Sequence, residues 1–416
     1  MSKHIVIVGG GIIGLSTAYY LQKEGCQVTV IDKTNMDAGA SYVNAGYVSP
    51  SHIIPLAAPG VVAQGLKWMF NSSSPFYMKP RWDIDFFKWL WFFQKSANPN
   101  KVKYAIPIIK DITLFSRELY QDIYNSGDLG VFQWERKGIL MMYKTDVAGE
   151  EEIHTSKLAK GEGLEVNELN LQQLKKIEPK VADSVKGAVH YECDVHTTPN
   201  EFMEKLKAYL IKNGVIIHIN EEVVDFEIGM DSISQIITTK GTYYPDEVVL
   251  TAGAWSSEIV KKLRLRLSMQ AGKGYRINVP SPTGINYPAI LLEKRVAITP
   301  MNTFTRFAGT MELSGINHKI HKERVDAIAT ASESYYDNLH IPQAAKDDAQ
   351  CGLRPVSPDG LPYIGKVAPY HNLYIGAGHA MMGWSMGPGT GKLISQLICK
   401  QPLAMNMEGF NPNRKF

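Results

Sequence analysis

Residues 4–32 read HIVIVGGGIIGLSTAYYLQKEGCQVTVID, and this stretch decides the fold. Residues 4–8 are a β-branched run that predicts a short strand. Residues 9–11 form a turn. Residues 12–24 have helical spacing, with Ile13, Ala18 and Leu21 among the apolar positions, and Gly25 stops the helix. Residues 27–31 alternate as a second strand, and Asp32 follows at once. Gly9, Gly11 and Gly14 supply G-x-G-x-x-G, with Asp32 21 residues after Gly11. That pattern is weak alone. A strand before it, a helix after it and an acid closing the next strand are the context it requires. Gly9 permits the tight turn, Gly11 lets a pyrophosphate approach the backbone, and Gly14 lets helix and strand pack closely. The phosphates would sit on the helix start at Ile12 and Ile13. Asp32, with Lys33 beside it, would accept hydrogen bonds from the adenosine ribose, which disfavours a 2′-phosphate.

Outward from this unit, the chain alternates nucleotide-type βα passages with other blocks. Residues 39–60 are rich in Gly, Ser, Asn and Pro and predict an ordered loop. Residues 101–125 and 150–177 predict amphipathic helices. A second αβ passage follows, with a helix at 200–213 and a buried strand at 215–219. Residues 223–228 and 234–239 read as a hairpin. A strand at 247–250 runs into Thr251-Ala252-Gly253, and 268–312 alternate as antiparallel sheet. A helical stretch spans 322–339. Turns, a strand at 373–375, a glycine-rich loop and a helix at 389–400 close the chain. The fold class expected is α/β: a discontinuous Rossmann-like dinucleotide-binding domain (1–60, 185–265 and 345–416). Inserted in it is an α+β substrate domain (61–184 and 266–344) built on a mostly antiparallel sheet.

Composition narrows the function. The 416 residues suffice for a large core at roughly 150 residues per domain. Apolar residues make up 44% and charged residues 20%, which excludes disordered and fibrous classes. A net charge of +3 gives no basic field for nucleic acid. Cys26, Cys193, Cys351 and Cys399 stand far apart without a CxxC pair, so a disulfide scaffold or zinc site is not expected and a reducing compartment is. The apolar run at the N-terminus breaks into glycines after five residues, unlike a secretory signal. No run of about 18 apolar residues is present. His318-x-x-His321 has metal-like spacing, but no carboxylate or cysteine completes it nearby, and no metal is expected.

The fingerprint does not choose between NAD and FAD. Two later features favour FAD. Residues 248–255 run a strand into the small-residue turn Ala252-Gly253, which admits a large buried cofactor. Residues 376–392 form a glycine-studded loop that opens a helix. Its N-terminal N–H groups would stabilise the charge that a reduced flavin gathers at its N1–C2=O edge.

These residues carry a family resemblance. The chain resembles the D-amino acid oxidase-like FAD-dependent amine oxidoreductases, the group of glycine oxidase and sarcosine oxidase, and within it the small subunits of bacterial D-amino acid dehydrogenases. The likeness runs nearly end to end. Its carriers are VIVGGGIIGLSTAYYL with Asp32, residues 44–50 (NAGYVSP), 57–60 (AAPG) before 67–70 (KWMF), Lys273-Gly274-Tyr275, Gly352-Leu353-Arg354-Pro355 with 357–360 (SPDG), and Gly378-His379 with Gly383-Trp384. The resemblance implies an extended FAD. Gly9, Gly11, Gly14 and Asp32 would hold its AMP half, and Ser41, Asn44, Ala45 and Gly46 would pass along the pyrophosphate and flavin. The Val223 backbone would meet the adenine. Gly378, Met382, Gly383, Trp384 and Ser385 would face the pyrimidine edge. Arg354 matches the arginine that pairs with the substrate carboxylate.

The implied reaction is oxidative deamination of a D-amino acid to its imino acid, with hydride leaving Cα for flavin N5. The hard chemistry belongs to the cofactor. A guanidinium fork suits the protein's part, because it matches a carboxylate and fixes orientation. No side-chain base is required once the amine is neutral. Tyr47, His52, Tyr275 and His379 are the candidate pocket walls. Where glycine oxidase-like members carry a second arginine, Ala380-Met381-Met382 stands here, so glycine is a poor substrate candidate. Cys351 stands one residue out of register for a covalent flavin link. Alternatives are dehydrogenation or oxidation of a cyclic imino acid of D-proline or D-hydroxyproline type, an oxygen-using glycine or sarcosine oxidase, an NAD(P) dehydrogenase, and a non-catalytic flavin subunit. Residues 66–93 hold 11 aromatics, including four of the seven tryptophans. They fit either a helix buried against the substrate domain or an interfacial surface serving a membrane quinone. The expected location is cytoplasmic, with peripheral contact at the inner face of the membrane.

Overall fold

The computed structural model describes residues 3–59, 76–79, 81–280 and 282–416. Gly60 and residues 67–70, which the resemblance draws on, lie outside the described residues, as does the expected boundary at 60–61.

His4–Val8, Ile12–Lys23 and Gln27–Ile31 form strand, helix and strand as their spacing requires. Both strands join a six-stranded sheet in the order Ile216–His218, Gln27–Ile31, His4–Val8, Glu247–Leu250, Leu373–Ala377, Tyr363–Lys366. All neighbours are parallel except the last pair. Ile5, Ile7, Val28 and Val30 are buried and pack under the Ile12–Lys23 helix. Val6, Val8, Ile31 and Leu250 fill the opposite face. This two-faced burial is why the strands read as unbroken apolar runs. The expected buried strand at 215–219 is instead the sheet edge, with Ile216 56% exposed. Val223–Ile228 and Ile233–Thr238 pair antiparallel as expected.

A nine-stranded sheet carries the second layer, in the order Gln350–Val356, Gln270–Pro280, Phe304–Leu313, Val296–Pro300, Ala289–Leu291, Ile139–Tyr143, Gly187–Tyr191, Val166–Asn170, with Phe76–Met78 beside Phe304–Leu313. It is antiparallel apart from the Ala289–Leu291/Ile139–Tyr143 and Phe76–Met78 pairings. Gly187–Tyr191 and Gln350–Val356 belong to this sheet, so sheet membership does not follow the expected boundaries at 185 and 345. The helix expected at 150–177 divides into Asp146–Gly161, the strand Val166–Asn170 and Leu171–Ile177. Asn170 splits off the last piece, because its carboxamide caps Gln173 N–H in a capping box. The 39–60 loop contains the short helix Ala40–Val43 and the strand Tyr47–Val48.

Of the aromatic block, residues 66–75 and 80 lie outside the described residues, Phe76–Met78 form a strand, and Ile84–Ser96 form a helix capped by the Asp83 carboxylate. Phe86, Trp89 and Phe93 are buried, while Ile84, Phe87 and Trp91 are exposed. The helix is therefore amphipathic rather than apolar on all sides. Among the described residues, no helix is long and apolar enough to cross a membrane.

Candidate active site

The fingerprint loop is built by close backbone contact. Gly9 has φ +106°, and a Cβ there would stand 2.6 Å from the Thr251 carbonyl oxygen and 2.8 Å from Ala252 Cα. A Cβ at Gly14 would overlap the Gly9 carbonyl oxygen. Thr251 Oγ1 donates to that carbonyl at 2.8 Å, so the turn before Ala252 and Gly253 braces the loop. The first bond of the Ile12–Lys23 helix is Leu15 N–H to the Gly11 carbonyl, 2.9 Å. In the first turn Ile12 N–H is capped by a side chain, at 2.9 Å from Ser41 Oγ. A glycine cradle facing open N–H donors fits a pyrophosphate.

Asp32 extends the site. Its carboxylate accepts Gly10 N–H at 2.7 Å and Thr34 N–H at 2.8 Å, which fixes it beside the loop. Its carbonyl accepts Glu221 N–H at 2.9 Å, bringing Val223 to the same end. Lys33 extends its ammonium over the Trp255 ring, 4.1 Å from the centroid.

The other cofactor candidates converge further along. Asn44 Oδ1 accepts Gly46 N–H at 2.8 Å, and Thr299 Oγ1 donates to the Ala45 carbonyl at 2.6 Å. Gly46 has φ +75° and lies against the Thr197 carbonyl. From the C-terminal loop, Trp384 Nε1 donates to Thr197 Oγ1 at 3.0 Å and Ser385 Oγ to the Tyr47 carbonyl at 2.8 Å. Their side chains thus tie this loop to the 44–48 segment. Met382 N–H donates to the His379 carbonyl, and Gly383 and Gly378 keep the turn compact before the Gly387–Ile398 helix.

Arg354 lies on Gln350–Val356, paired with Gly272. Gly274 and Gly352 pair beside it and share its face under the alternation of the pleat. The guanidinium lies directly against Gly274, and Gly352 faces Val43 and Ala40 of the 40–46 segment. Arg354 is therefore on the sheet face that meets the nucleotide domain. Its Nη1 donates to the Thr310 carbonyl at 2.7 Å. No carboxylate neutralises it among the described residues, and burial alone pulls its pKa down to about 10. A half-buried cation without an anion among the described residues, with donors to spare, has the chemistry to take a carboxylate. Along the same face lie Val356 and Met311, which would meet a Cβ at Gly272. They pack with Leu56, Ala57, Phe86, Trp89 and Ala380. The surroundings of the cation on that side are apolar.

The side chains of the four expected pocket walls are taken up by other partners. Tyr275 has the opposite parity from Gly274, so it faces away from Arg354. Its hydroxyl donates to Glu312 Oε2 at 2.6 Å on the side covered by the Lys322–Glu333 helix. Lys273 shares that parity and pairs with Glu312 at 3.0 Å, fully buried. Cys351 sits opposite Tyr275, so it too faces away from the site. Tyr47 directs its hydroxyl to the Ala289 and Ile298 carbonyls. His52 lies beside Ser51, and burial with Arg295 nearby pushes it down to about 4. The Gln270–Pro280 and Phe304–Leu313 strands separate the Arg295 turn from Arg354's strand. His379 turns its Nε2 to Thr390 Oγ1 at 2.9 Å, and burial holds it neutral, at about 3. His318 stacks on Trp255, and no metal-binding cluster occurs among the described residues.

Arg306 carries no motif and the sequence does not announce it. Fully buried on Phe304–Leu313, its Nη1 donates to the Tyr42 and Asn44 carbonyls, each at 2.7 Å. Nε reaches Asn278 and Nη2 reaches Asn200, both at 3.0 Å. It holds the 42–46 segment onto the large sheet.

Three comparisons bear on this arrangement. The family model described as FAD dependent oxidoreductase matches residues 4–397. A D-amino acid dehydrogenase of Helicobacter pylori is 30% identical over 399 residues, 95% of each chain. Among solved structures, glycine oxidase from Geobacillus kaustophilus superposes with a TM-score of 0.79 at 20% identity, over 100% of both chains. L-proline dehydrogenase from P. horikoshii does so with a TM-score of 0.74 at 19% identity, covering 99% of this chain and 97% of that one.

Proposed function

Since this chain belongs to the FAD-dependent oxidoreductase family, we propose that it dehydrogenates D-amino acids, binding the substrate carboxylate on Arg354. The observation that carries the reading is the guanidinium laid on Gly274 without a counter-ion among the described residues. FAD, when bound, supplies the acceptor for the hydride lost from Cα. The chain's residues do the rest. Gly9, Gly11, Gly14, Ile12, Ile13 and Asp32 would hold the adenosine diphosphate part, with Ser41 to Gly46 and the 378–385 loop holding the ring. Arg354 orients the α-carbon by a two-point grip, which turns chance encounter into a fixed approach. The apolar group around Met311, Val356 and Ala380 excludes water and receives the substrate side chain. The D-amino acid dehydrogenase relatives support the choice of enantiomer.

A second reading is a cyclic imino acid of the D-proline type. The apolar cluster beside Arg354 favours it, because a ring offers only methylenes there. The test is anaerobic bleaching of the flavin by a panel of D- and L-amino acids and D-proline. The proposal expects D-enantiomers to bleach; bleaching by L-enantiomers alone would overturn it.

The electron acceptor we propose is a quinone at a membrane surface. Trp82 is 99% exposed, Ile84 74% and Trp91 63%, with Lys88 between them and Lys95 beyond. Exposed tryptophans with flanking lysines suit the interface of an anionic bilayer.

A further inference from the structure

We propose that Cys26 and Cys399 form a reversible disulfide that joins the two helices whose other ends border the cofactor site. Their sulfurs stand 3.9 Å apart although 373 positions separate them in sequence. Both are partly exposed, whereas Cys193 and Cys351 are buried.

The fold places them there by identifiable contacts. Gly387, Gly391, Ser395 and Cys399 recur every four residues, and so form one face of the C-terminal helix. A Cβ at Gly391 would stand 2.5 Å from the Ser16 carbonyl carbon, and one at Gly387 2.6 Å from Ile12 Cγ1. The small residues let the helices approach, and Cys399 is the next position of the same face. On the other helix, Gly25 takes φ +77°, Gly25 N–H donates to the Gln22 carbonyl and Cys26 N–H to the Leu21 carbonyl. This is a Schellman closure, which fixes Cys26 immediately past the helix end. Closing the remaining gap to a bond of about 2.05 Å needs side-chain rotation and a small backbone adjustment.

The oxidant is a low-molecular-weight disulfide. The Cys399 thiolate attacks it, forming a mixed disulfide and releasing one thiolate. Cys26 then loses its proton to water and displaces the second thiolate. The Sγ–Sγ bond forms as two electrons pass to the small disulfide, which becomes two thiols. Burial and the neighbouring sulfur push the Cys26 thiol up to about 11, so it is a poor first nucleophile. The cross-link closes a very long loop and restricts the unfolded chain.

Holoenzyme equilibrated with oxidised glutathione, acid-quenched and digested without reduction tests this by peptide mass spectrometry. The expected product is a linked Cys26–Cys399 peptide that dithiothreitol abolishes, together with a raised Tm that dithiothreitol reverses. Cys26→Ser should leave glutathione on Cys399 and no Tm rise. Cys399→Ser should give no linked peptide. Wild-type protein with glutathione on both cysteines, or with both still free, overturns the proposal.

Discussion

The Arg354 guanidinium rests on the Cα of Gly274, one strand away, where any β-carbon would collide with its Nη1, Nη2 and Cζ. Position 274 is thus the floor under the guanidinium proposed to bind the substrate carboxylate. Gly274→Ala should displace the fork without breaking the sheet, because what it strikes is the far end of a flexible side chain. Loss of one charge-assisted contact should raise KM for the amino acid roughly 10- to 100-fold. Steady-state kinetics on yellow, folded variant checks this; an unchanged KM would separate Gly274 from the site.

Arg306 should matter for holding the cofactor rather than for the chemistry. Arg306→Met strips donors from the Tyr42 and Asn44 carbonyls and should cost about 2–4 kcal/mol. The flavin-to-protein absorbance ratio after gel filtration should fall, and added FAD should restore part of it. Full flavin retention would refute the role.

Asp194 gives a pH signature. Its carboxyl is buried and raised from 3.8 to about 7 by burial, outweighing its bonds from Ser51. The folded state therefore holds a proton that the unfolded chain releases between those values, so stability from this group is present below pH 3.8 and declines as pH climbs to about 7. Asp194→Asn removes that slope. The Tm difference between variant and wild type should move in the variant's favour across this window, by about 2 °C or more, and stay constant above it. A parallel pair of Tm–pH curves would exclude the effect.

Trp82→Ser with Trp91→Ser should weaken binding to anionic phospholipid vesicles severalfold, while turnover with a soluble dye stays unchanged. Equal sedimentation of both proteins with vesicles would remove the Ile84–Ser96 ridge from membrane contact.

The nucleotide unit was legible in the sequence because its logic is local: turn glycines, a helix start and an acid lie within one βαβ. Arg354 was singled out by the motif around it, and the structure lays its guanidinium against Gly274. Tyr275 was not placed correctly because Lys273-Gly274-Tyr275 reads as one motif, whereas a strand sends successive side chains to opposite faces. Gly274 belongs to the site and its two neighbours belong to the Glu312 cluster. The partners of the His379 and Tyr47 side chains were not legible for another reason. Those partners, Thr390 and the Ala289 and Ile298 carbonyls, are fixed by tertiary packing. Arg306 was invisible because all its acceptors come from distant segments.

The central claim is that Arg354 grips the substrate carboxylate. The direct measurement is the substrate concentration that half-reduces the flavin anaerobically in wild type, Arg354→Lys and Arg354→Ala. The account predicts a rise of at least tenfold for alanine and a smaller rise for lysine, with the flavin spectrum of the oxidised proteins unchanged. Identical half-reduction concentrations in all three would contradict it.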